Sequence, residues 1–156
     1  MRKVNRLSAV VLPLALAAAD RLAKWYAFAA LPPGRGAVLV WGLKYEYFFN
    51  SGLLFSLSSS AVATVASAIA FIALALIALR RKISGHELLT RDLWAFWLVA
   101  LGGASNLYDR LASGGVTDYL IFARSAWNIA DIMILAGIAL LFFGRAPEGD
   151  KPPHAS

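Results

Sequence analysis

The chain of 156 residues has no cysteine. Disulfides, thiolate metal sites and a cysteine nucleophile are therefore excluded. Histidine is almost as scarce: His86 and His154 both stand in polar segments. A Ser-His-Asp triad or a zinc site would lack its essential side chains. No grouping of residues suggests a metal, and nothing calls for a cofactor. Charge is also in short supply, at 15% of residues, where a soluble domain carries about a quarter.

What is present is apolar: 60% of the residues are hydrophobic and the mean hydropathy is +0.65. The length suits one domain. Together these features indicate a small polytopic membrane protein. The net charge of +6 does not point to nucleic acid, because the basic residues flank apolar segments instead of forming one patch, as membrane topology requires.

Four apolar segments are long enough to span, a span needing about 20 residues. They cover about 7–31, 61–79, 93–111 and 126–143. The first follows Arg2, Lys3 and Arg6, and its run of alanines also fits a cleavable signal peptide. Apolar residues resume at once at Trp25, however, so a span is the better description. Asp20 and Lys24 interrupt it four residues apart, on one helix face, where they can pair. Residues 32–60 contain a Pro-Pro-Gly break, a stretch rich in Val, Tyr and Phe, the turn signal Asn50-Ser51-Gly52 and a short apolar run at 53–57. They predict one or two short strands or an extended, membrane-hugging segment, followed by a short interfacial helix. Residues 1–146 make one membrane domain, and 147–156 form a disordered cytoplasmic tail.

The basic residues at the N-terminus, at 80–92 and at Arg145 assign both termini to the cytoplasm. The unusual polar residues then gather at the outer face: Asp20, Lys24, Asn50, Gly52, Asn106, Asp109, Arg110, Asp118, Asn128 and Asp131. Ionisable groups beside lipid are expensive and tend to be functional. Two carboxylates sharing a small site hold different protonation states, because one charge disfavours the other. One then serves as general base and the other as general acid in hydrolysis. Asp118 and Asp131 are the candidate pair, Asp131 in the first turns of a helix whose dipole favours its ionised form. Asp109, beside Arg110, is the weaker candidate and fits an ion-paired structural role. Spacing alone leaves other readings open. Asp20 and Lys24 also fit a structural pair, and Asn106 and Asn128 also fit interhelical hydrogen bonding.

At these residues the chain resembles the lipoprotein signal peptidase (signal peptidase II) family. The motifs are Asp20-x-x-x-Lys24, Asn50-x-Gly52-x-x-Phe55-Ser56, and Gly102-Gly103-Ala104-Ser105-Asn106 continuing into Leu107-x-Asp109-Arg110. Gly114-x-Val116-x-Asp118 in the outer loop and Trp127-Asn128-x-Ala130-Asp131 complete the set. The resemblance implies four transmembrane helices, classed as all-α, with a periplasmic β-cradle and a short interfacial helix. It implies an aspartic endopeptidase of the bacterial inner membrane, acting at the periplasmic face. The reaction would remove the signal peptide from diacylglyceryl-modified prolipoproteins just before the lipidated cysteine.

On this resemblance Asp118 and Asp131 match the catalytic acids. Asn50, Gly52, Asn106, Arg110 and Asn128 match substrate-binding positions, and Asp20, Lys24 and Asp109 match structural supports. Partners would be lipid-modified precursors and membrane lipids, with the protein a monomer. Ser105 stands where the family usually has Gly, and Leu53-Leu54 where it has small residues. The Asp118–Asp131 connection is shorter than the family norm, which also suits a divergent paralogue of weak activity. Two further alternatives are a Ser/Lys peptidase using Ser51, Ser56 or Ser105, and a non-enzymatic transporter or assembly protein.

Overall fold

The computed structural model describes residues 7–31, 36–52, 62, 64–66, 69 and 90–143. In chain order they form α1 (Ser8–Ala30), β1 (Ala37–Val40), β2 (Leu43–Asn50), α2 (Thr90–Ser113), β3 (Val116–Phe122), β4 (Ser125–Trp127) and α3 (Ile129–Phe143). Residues 62, 64–66 and 69 are helical. Most of the expected span at 61–79, the interfacial helix at 53–57 and the tail at 147–156 lie outside the described residues.

The all-α class needs correction, because helix and sheet are mixed. Four strands form one antiparallel sheet in the order β1-β2-β3-β4. Only β1 and β2 come from the 32–60 cradle; the others come from the segment expected to be loop and helix start. Val116-Thr117-Asp118-Tyr119-Leu120-Ile121-Phe122 is rich in β-branched and aromatic residues, which suit a pleated surface. Ser125–Trp127 returns along it after a two-residue turn at Ala123-Arg124, with Ala123 at φ 54. The last helix therefore begins at Ile129 and not near 126.

Among the described residues no helix is long and apolar enough to cross a membrane. The four-span expectation meets a physical obstacle here. Asp20, Arg21 and Lys24 interrupt α1, and Arg91, Asp92, Asp109 and Arg110 interrupt α2. The described part of α3 has 15 residues. Asp20, Lys24, Asp109 and Arg110 are nonetheless buried, while Leu12, Leu22, Trp25 and Phe28 of α1 and Phe142 and Phe143 of α3 face outward. Charge lies inside and apolar surface outside, the reverse of a soluble domain.

A close helix contact brings α2 against the start of α3. A Cβ on Gly102 would lie 2.6 Å from the Ala130 carbonyl oxygen and 3.0 Å from Ile134 Cγ1. Small residues of this kind let helix backbones approach closely. The contact fixes the first turn of α3, which carries Asp131. On the sheet side, Tyr45 of β2 donates its hydroxyl to the Ala23 carbonyl of α1 at 2.7 Å. This bond ties the sheet to the helices.

Candidate active site

The site begins with the N-terminus of α3. A helix leaves its first N–H groups without intrahelical partners, and here each of the first ones has a named acceptor. Ile129 N–H donates to the Tyr119 hydroxyl (3.1 Å), Ala130 N–H to Asp20 Oδ1 (3.2 Å) and Asp131 N–H to Asn128 Oδ1 (2.9 Å). Asn128 N–H donates back to Asp131 Oδ2 at 3.2 Å. Asn128 and Asp131 thus form a reciprocal capping box. The same geometry that starts the helix sets the position of the Asp131 carboxyl.

The hairpin register explains how Asp118 reaches it. Leu120 pairs with Trp127 and Ile121 with Ala126. Continued past Trp127, this register brings Asn128 and Ile129 abreast of Tyr119 and Asp118. A connection of thirteen positions suffices because it is a tight hairpin. Successive strand residues face opposite sides. Asp118 lines the cavity, whereas Tyr119 turns to α1 and donates its hydroxyl to Asp20 Oδ1 at 3.0 Å.

Three asparagines hold the two acids. Asn128 Nδ2 donates to Asp118 Oδ1 (2.6 Å) and Asn50 Nδ2 to Asp118 Oδ2 (3.0 Å). Asn106 Nδ2 donates to Asp131 Oδ1 at 2.7 Å. In each case the amide oxygen is occupied by another donor: Gly52 N–H on Asn50, Lys24 Nζ on Asn106 and Asp131 N–H on Asn128. An amide has one acceptor end and one donor end. Engaging the oxygens therefore turns all three NH2 groups toward the carboxylates. Asn128 thus reaches both carboxylates, Asp118 through its side-chain amide and Asp131 through its backbone N–H.

Asp118 is 1% exposed. Burial first, and then the nearby charge of Asp131, push its carboxyl up from 3.8 to about 6, against the lowering effect of Asn50 and Asn128. Burial, with the charge of Asp20, also pushes the Tyr119 phenol up, so it stays a hydroxyl. Asn50, Asn106, Arg110, Asp118 and Asp131 all line one cavity of about 450 Å³. Its walls are Phe48, Val116, Ile121, Trp127, Ile134 and Leu135, and its far rim is Arg124 with Ser125 and Ala126. Gly52 joins through its backbone, its carbonyl accepting from Arg110 Nη2 at 3.2 Å. Arg110 also donates to the Asn106 carbonyl at 3.4 Å.

Asp20, Lys24 and Asp109 lie behind this layer. Lys24 Nζ is 3.0 Å from Asp20 Oδ2 and 2.9 Å from Asp109 Oδ2. Asp109 also pairs with Arg21, which stacks on the Tyr108 ring, and not with its neighbour Arg110. Ser105 donates to Asp20 Oδ2 at 2.6 Å. Tyr119 and Arg21 are not singled out by the sequence, and Ser105 is noted there as a candidate nucleophile and as a departure from the family pattern, not as a partner of Asp20. Arg21 lies inside a noted motif, but Tyr119 and Ser105 reach Asp20 across 99 and 85 positions, with no local signal. Among the described residues no cluster of ligands could hold a metal ion. Two acids with unlike surroundings in a half-apolar cavity suit general acid–base hydrolysis of a substrate with an apolar part.

Comparison with known proteins identifies the family. The family described as Signal peptidase (SPase) II matches residues 12–145. The lipoprotein signal peptidase of Symbiobacterium thermophilum is 31% identical over 143 residues, covering 85% of this chain and 90% of that protein. That of Mesorhizobium japonicum is 34% identical over 117 residues, covering 67% and 68%. A solved bacterial membrane enzyme shares the fold with a TM-score of 0.74 at 19% identity, over 87% of this chain and 85% of its own. The chain belongs to the signal peptidase II family.

Proposed function

We propose that this protein removes the signal peptide from diacylglyceryl-modified prolipoproteins, cutting just before the lipidated cysteine, with Asp118 and Asp131 as the catalytic pair. The observation that carries this reading is that both acids line one cavity and are bridged by Asn128. Family membership supports the reaction, and the apolar walls at Ile134 and Leu135 suit acyl chains.

In the proposed mechanism Asp131, at a helix N-terminus that favours its charged form, takes a proton from water. The hydroxide so formed adds to the scissile carbonyl carbon. Asp118, which takes up a proton as pH falls toward 6, donates it to the leaving amine as the C–N bond breaks. No covalent intermediate is required. Arg110 lines the cavity and is held by the Gly52 carbonyl. Lys24 is a positioning residue that acts through Asn106, with Asp20 and Asp109 completing the support.

The outward apolar faces of α1 and α3 support a multi-pass membrane setting, their buried charges being paired within the protein. Four spans, cytoplasmic termini, a site at the outer face of the inner membrane, contact with membrane lipids and a monomeric state belong to the same proposal. Purified parent, Asp118→Asn and Asp131→Asn would be given a lipidated precursor. Both variants are expected to lose cleavage, and intact cleavage by either would remove the two-acid mechanism.

A further inference from the structure

The cavity extends beyond the acids, and its far rim has no assigned role. Arg124, Ser125, Ala126 and Trp127 all line it. Alternate residues of a strand point to opposite faces. A cavity touched by consecutive residues of β4 therefore reaches the strand's edge as well as the sheet face that carries Asp118. β4 is the outer strand of the sheet, and among the described residues no strand pairs with its second side. An open strand edge is a template for an extended peptide. This edge leads straight into the capping box, through Asn128 to Asp131.

Arg124 stands at the other end of that edge. It is exposed and, among the described residues, is the only cationic side chain lining the cavity besides Arg110. Arg110 is buried and committed to two backbone carbonyls. The acids on the cavity, Asp118 and Asp131, are taken by asparagines. Among the described residues no carboxylate on the cavity is left to pair with the Arg124 guanidinium, which faces a ligand instead. It lies four residues back along the chain from Asn128, about 13 Å of extended strand at about 3.3 Å per residue. The exposed rim at Arg124 suits the part of a substrate that leads into water, whereas Ile134 and Leu135 suit its lipid.

We propose that the free edge of β4 takes the precursor segment following the cut as an added strand, and that Arg124 selects an acidic side chain about four residues beyond the cut. This inference rests on cleavage at the Asp118–Asp131 cavity. It makes Arg124 a specificity residue, with no part in the bond-breaking step.

The test uses the full chain in bilayers of zwitterionic lipid and a series of lipidated precursor peptides. Each peptide carries Asp or Lys at one of the second to sixth positions after the cut. Parent enzyme should favour Asp over Lys by about fivefold in kcat/KM, as a partly exposed ion pair would. The preference should fall at one position three to five residues beyond the cut and be carried by KM. Arg124→Glu should invert the ratio and Arg124→Lys should keep it. Methylating single backbone nitrogens of the peptide should weaken cleavage at alternate positions only, as strand pairing requires. A ratio near one throughout, the same ratio in Arg124→Glu, or methylation effects without alternation would overturn the proposal. So would an Arg124 effect that is alike for all peptides and grows with anionic lipid, which would assign the residue to headgroup phosphate. A parent that cuts no peptide would overturn both this inference and the function beneath it; one that cuts all alike would overturn this one alone.

Discussion

Replacing Asp118 by Asn should change stability in a way that depends on pH, and the sign follows from the site. The folded carboxyl titrates at about 6 and not at 3.8, so the folded state binds its proton more tightly than the unfolded chain does. The favourable contribution is complete below about pH 4. It is lost as pH rises through about 6, at which point the charged form sits buried beside Asp131. A rise of this size corresponds to about 3 kcal/mol. The Asp118→Asn variant would escape that penalty, but it introduces another. Asp118 accepts from two amide NH2 groups whose own oxygens are already engaged, and an asparagine side chain offers only one acceptor oxygen. The mismatch costs about 1–3 kcal/mol at every pH. The absolute stability change is therefore a small difference, whereas its pH dependence is large. Thermal unfolding of parent and variant, compared from about pH 4 to pH 8, should show the variant gaining on the parent by about 3 kcal/mol. For a chain of this size that is roughly 6–12 °C, all of it between about pH 4 and 6. A difference that stays flat, or that moves against the variant as pH rises, would refute the buried, charge-coupled description of Asp118.

Other substitutions probe the supports. Lys24→Met leaves Asp20 and Asp109 without their shared cation and should cost about 3 kcal/mol in a denaturation series. It should also lower kcat, because Asn106 loses the donor that orients it. Asn128→Ala removes the cap of α3 and one Asp118 partner. It should cost about 1–2 kcal/mol and reduce cleavage of a lipidated precursor by up to about a hundredfold, as expected when catalytic groups shift by about an ångström. Gly102→Val forces a side chain into the Ala130 carbonyl and should cost about 1–3 kcal/mol, with activity falling further than stability because the turn that moves carries Asp131.

The helices are the more legible part of the fold. The apolar run at 7–31 contains the helix Ser8–Ala30, and the one at 93–111 lies within Thr90–Ser113. The second hairpin is not legible, for a physical reason. In Val116–Phe122 the cavity-facing position that an apolar residue would normally fill holds Asp118, so function interrupts the alternation that announces a strand. Ser125-Ala126-Trp127 is too short and too apolar to be told from the first turn of a helix. The polar residues of the site can be named from the sequence because each is costly in an apolar chain. Their wiring cannot. That Asp109 chooses Arg21 and Lys24 over adjacent Arg110, and that Asp20 caps α3, depend on pairings 85 to 110 positions apart.

The central claim is that Asp118 and Asp131 act as one coupled pair. It is tested most directly by following their carboxyl carbons across pH in protein labelled at aspartate, with Asp118→Asn and Asp131→Asn to assign them. Asp118 should keep its proton to about pH 6 in the parent. In Asp131→Asn its midpoint should fall, yet stay above 3.8, since burial remains when the neighbouring charge is gone. An Asp118 that titrates near 4 in the parent, and is indifferent to Asp131→Asn, would contradict it.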